Sequence, residues 1–212
     1  MLLNDLLIKF PNLFTVDGLL HHLDVLMGGV NAGELLMKAL YDEKLYLFLH
    51  SCGIADLKVK KVIINLDKAK HETLSDLMAL ISFFNEKLDA LFMFVDETMD
   101  QTELVPRSNS PHLCVYGNSL FTANRFMLVI DCIVVVDGMN NFIKSFCCLF
   151  ASFYIFNMPY PKEASSILEF CQRAFFGINP EKGSKARRTK KTSAISTIVL
   201  SILQKFAKFN NI

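Results

Sequence analysis

The stretch SFCCLFASFYIFNM, residues 145–158, contains no charged side chain. Wound as a helix it is apolar on every side, and such a helix belongs at the centre of a fold. It is bounded by Lys144 and Pro159, and a membrane-spanning helix needs about 20 apolar residues. The reading is therefore a buried helix over 140–157 and no membrane span. The rest of the chain must cover it. With 212 residues, 52% of them hydrophobic, and 19 Phe with no Trp, there is material enough to do so. The chain is too apolar to be disordered.

Ahead of that helix the pattern is different. HLCVYGN and RFMLVIDCIVVVDG are rich in Val, Ile and aromatics and are punctuated by Gly117-Asn118 and Gly138. This is strand material. The second run is long for one strand, so it is either one bent strand or a tight hairpin around Asp131-Cys132. A small β element is expected near 112–136, packed by the Phe-rich helix.

The remaining signals are helical. GELLMKALYDEKLYLFLHSCG places Leu35, Leu36, Ala39 and Leu40 before a charged interlude, with Gly53 as a stop. HETLSDLMALISFFNEKLDALFMFVDE places Leu74, Leu77, Met78 and Ile81 at helical spacing, and its end, ALFMFV, fits strand or helix. Pro161 suits a helix start, Gly177 a stop, and Ala164, Ile167, Leu168, Cys171, Ala174 and Phe175 form the stripe between. In TSAISTIVLSILQKFAKF, the residues Ile195, Ile198, Val199, Ile202, Phe206 and Phe209 line one face, with Thr192 or Ser193 as cap. The fold class expected is α+β, mostly helical. DETMDQTELVPRSNSPH, residues 96–112, is acidic with two Pro and reads as a loop and a boundary. The division expected is a helical region 1–100, a sheet with core helices over 101–180, and a basic linker with an amphipathic helix over 181–212.

Charge is unevenly spread. Residues 1–180 carry 14 Lys/Arg against 20 Asp/Glu, whereas residues 181–212 carry 8 against 1. The stretch EKGSKARRTKK holds six basic residues: Lys182, Lys185, Arg187, Arg188, Lys190 and Lys191. Such a run fits a nuclear-import address or a weak phosphate contact on nucleic acid, or else a solvated linker. No aromatic interleaves the charges, so no stacking platform for single strands is expected. The six Cys have no CxxC spacing and read as small core residues of an intracellular, reducing environment. The start, MLLNDLLIKFPNLF, has no basic n-region, and no secretory leader is expected.

The region HLCVYGNSLFTANRFMLVIDCIVVVDGMNNFIKSFCCLFASFYIFNMPYPKEASSILEFCQRAFFGINPEKGSK resembles a group of poorly characterised vertebrate proteins, chiefly from fish, labelled sterile alpha motif domain-containing protein 3-like. The likeness rests on the valine-rich strand ending in Asp, the apolar helix, FNMPYPKEA, LEFCQRAFF and INPEKGSK before a basic tract. KFPNLFTVDGLLHHLDVL resembles the start of that family's helical region. The likeness is clearest over 110–185. It implies an origin associated with mobile elements and a C-terminal fragment that lacks the sterile alpha motif itself. It supplies no catalytic residue.

Enzymatic chemistry finds little footing in the pattern. Metal-dependent phosphoryl transfer needs clustered carboxylates, but Asp131 and Asp137 read as turn and cap residues and Glu163 and Glu169 as helix surface. Zinc needs four ligands at suitable spacing. His21-His22, His50, Cys52, Cys114 and Cys132 do not provide it, and histidines on the surface are the expectation. GGVNAGE lacks the Lys-Ser/Thr of a phosphate-binding loop and reads as a loop before a helix. No GxSxG occurs. The expectation is a non-enzymatic interaction module with no metal or cofactor, a protein partner, weak nucleic-acid contact and no membrane. The alternative is a structural fragment of a longer protein.

Overall fold

The structure is a computed structural model, described for residues 3–52, 68–100, 108–179 and 196–210. Among these residues it is α+β and predominantly helical, with a four-stranded mixed sheet. The chain forms two compact units, each built from two separate segments. Unit 1 comprises Met1–Gly33 and Asp89–Tyr160; unit 2 comprises Glu34–Leu88 and Pro161–Ile212.

Unit 1 holds the sheet, in the order β1 (Phe92–Val95), β2 (His112–Tyr116), β3 (Phe126–Ile130), β4 (Ile133–Met139). β1 pairs parallel with β2, and the other pairs are antiparallel. The β element is thus wider than 112–136: ALFMFV, open to either reading, supplies the edge strand. β2 and β3 are buried at every position, as strands covered on both faces are. The long valine run is a hairpin. Ile130 pairs with Ile133 across Asp131 and Cys132, which have φ of 51° and 62°, the left-handed sign that a two-residue hairpin turn needs at both centres. The ladder then shifts register twice, between Val134 and Val136 and again between Val136 and Met139, where Gly138, at φ 70°, admits a bulge in β4.

The apolar run forms α6 (Phe142–Ile155; α1–α5 are given below), and residues Ser145–Phe153 of it are all buried. Asn141 caps it by accepting the Lys144 N–H at 3.0 Å. Its Phe142 and Phe146 rings meet Phe92, and Phe142 also meets Phe126, at centroid distances of 6.0 to 6.5 Å. The other side of α6 takes α2 (Val16–Leu26), whose Leu19 and Leu23 are fully buried. α1 (Leu3–Lys9) and a 3-10 turn, Pro11–Phe14, precede α2, and Phe14 stacks on Phe156 at 5.5 Å. Gly28 and Gly29 follow α2 in a loop. The sheet's second face carries Met93, Val95, Cys114, Tyr116, Met127 and Val129, all buried. Among the described residues no helix is long and apolar enough to cross a membrane.

Unit 2 is helical: α3 (Ala32–Leu40, mostly within it), α4 (Glu43–Ser51), α5 (Lys68–Phe83), α7 (Ser165–Phe170) and α8 (Thr197–Asn210). α3 and α4 break apart at the charged interlude, where Asp42 accepts the Lys44 N–H at 2.9 Å. The core is a chain of rings. Phe48 meets Phe206 and Phe209 at 5.0 and 5.8 Å, Phe206 meets Phe170 at 6.4 Å, and Phe170 meets Phe84 at 6.1 Å. The helix expected after Pro161 is composite: a 3-10 turn Lys162–Ala164, then α7, then a π-helical turn Cys171–Phe175. Gly177 ends it at φ 66°. In α8, Val199 and Ile202 are buried, whereas Ile198, placed on the same stripe from the sequence, is exposed. Ile195, the caps Thr192 and Ser193, and Gly53 lie outside the described residues.

Candidate functional site

Lys182, Lys185, Arg187, Arg188, Lys190 and Lys191 lie outside the described residues. The elements on either side of them, the π turn and α8, both belong to unit 2. Between those two elements lies an open groove of about 420 Å³. Leu200, Leu203, Phe206 and Ala207 of α8 face Ala174 across it. Arg173, Asn179, Gln204 and Asn210 complete the lining.

The π turn places Arg173 there. The Phe176 N–H bonds to the Cys171 carbonyl at 3.1 Å, a five-residue step. Such a turn rotates the residues after it relative to an α-helical stripe, and π turns recur at functional positions. Arg173 Nε approaches Glu169 Oε1 at 3.4 Å, and the two side chains are 6% and 3% exposed. Arg173 Nη1 reaches Asn179 Oδ1 at 3.5 Å. Nη2 is buried and has no hydrogen-bond partner. Asn210 Oδ1 is likewise buried and unpartnered, and the two do not bond to each other. A buried donor or acceptor left unpaired costs about 1–3 kcal/mol. The sequence reading put Glu169 on the helix surface; its burial against Arg173 corrects that. The spacing Glu169-x-x-x-Arg173 was the available signal.

The other candidate carboxylates do not assemble. Asp131 is exposed in the hairpin turn. Asp137 is no helix cap. It lies in β4 and pairs with Arg125 at 2.9 Å, whose guanidinium sits 4.3 Å over the Tyr116 ring. Glu163 is exposed. Among the described residues no three His, Cys, Asp or Glu groups converge as metal ligands.

The cysteines divide. Cys114, Cys147, Cys148 and Cys171 are buried, whereas Cys52 and Cys132 are exposed, contrary to a uniform core role. Burial pushes the Cys114 and Cys148 thiols up to about 12 and raises Cys147 as well. These three are held as thiols, and the thiolate is the nucleophilic form. His112 is buried rather than on the surface. Its Nδ1 lies 2.9 Å from the Ser110 carbonyl and its Nε2 has no partner. Burial holds its pKa below the ordinary histidine value despite that hydrogen bond.

No family model, curated protein or solved structure matches this chain.

Proposed function

We propose that the chain is a non-enzymatic interaction module of mobile-element-related origin, whose basic segment 182–191 makes salt-sensitive phosphate contacts with nucleic acid or serves as a nuclear-import address. The observation that carries this reading is the placement of the charge. Six basic residues follow a body with an acidic excess, and the helices on both sides of them are packed into one unit. A segment tethered at both ends to a folded unit can present its charges without that unit having to unfold. The alternative, a structural fragment awaiting a partner helix, called for an α8 whose stripe stands free. Val199 and Ile202 are buried, and Phe206 packs on Phe48 and Phe170, which favours the first reading.

The test is binding of the purified chain to a random-sequence DNA duplex and to RNA across a salt series, beside a variant with all six residues changed to Ala. Binding that weakens steeply with salt and disappears in the variant supports phosphate contact. Absence of binding at low salt removes it. A tagged chain that then enters nuclei only with the segment intact leaves the import address.

A further inference from the structure

We draw no further inference here: the strongest candidate, the outer edge that β4 presents over Ile133–Val136 at one end of the sheet, is an apolar strand edge with nothing among the described residues to show what covers it.

Discussion

Two residues in the sheet unit carry conformational or electrostatic costs that can be measured one at a time. Cys132 holds a left-handed φ of 62° in the hairpin turn, which costs an L residue about 1–2 kcal/mol. Glycine there avoids that cost but adds freedom to the unfolded chain worth about 0.5–1 kcal/mol. Cys132→Gly is therefore expected to raise the unfolding free energy by about 0.5–1 kcal/mol, read from urea midpoints. His112 is the second. Its folded pKa lies below the ordinary value, so between the two pKa values the unfolded chain binds more protons. Its contribution is fully present above the ordinary value of about 6.5 and is lost as pH falls below it through the lowered folded pKa. Thermal melts between pH 8 and 5 should show a decline that His112→Phe removes.

Helix ends supply the next scale. Asn141 accepts the Lys144 N–H and starts α6. Asn141→Ala is expected to cost about 1 kcal/mol, seen as a lower melting temperature with an unchanged helical signal. The start of α7 is capped from a distant part of the chain. Glu86 accepts the N–H of Ser166 at 2.6 Å and of Ile167 at 2.9 Å. Burial nonetheless raises its pKa, with those hydrogen bonds opposing. The sign follows: the folded state favours the protonated acid, so the contribution is fully present below the ordinary carboxyl value of 4.5. It is lost as pH rises through the raised value. The stability difference between the native chain and Glu86→Gln should therefore shift against the native chain as pH rises from 4 towards neutrality. The sequence disclosed α6 because fourteen residues without charge admit one placement, and the β3–β4 hairpin because β-branched residues meet a two-residue break. It did not disclose β1, since four residues, FMFV, become a strand only by pairing with β2. It misplaced Glu169 because one stripe of α7 was read as buried, whereas the four successive residues Ile167–Phe170 are all buried.

At the level of the whole chain, the candidate site was legible only as charge. The run 182–191 declares itself in one dimension, whereas Arg173 and Asn210 are far apart in sequence and meet in one groove only through the packing of α7 and α8. If all six basic residues contact duplex phosphates, the logarithm of affinity should fall against the logarithm of salt concentration with a slope of about −5. The six-Ala variant should flatten it to near zero. A slope of about −2 would mean that only a pair of the six engage.

The interleaving of the two units also has a consequence in time. Unit 1 takes its first segment from residues up to Gly33 and its second from Asp89 to Tyr160. On a ribosome adding about 5–20 residues per second, α2 emerges on the order of ten seconds before the end of α6 exists. Through that interval Leu19 and Leu23 have no core to enter, and the whole of Glu34–Leu88 is made in between. Neither unit can close while its other half is still unsynthesised, so the nascent chain presents bare apolar helix faces to whatever attends its exit.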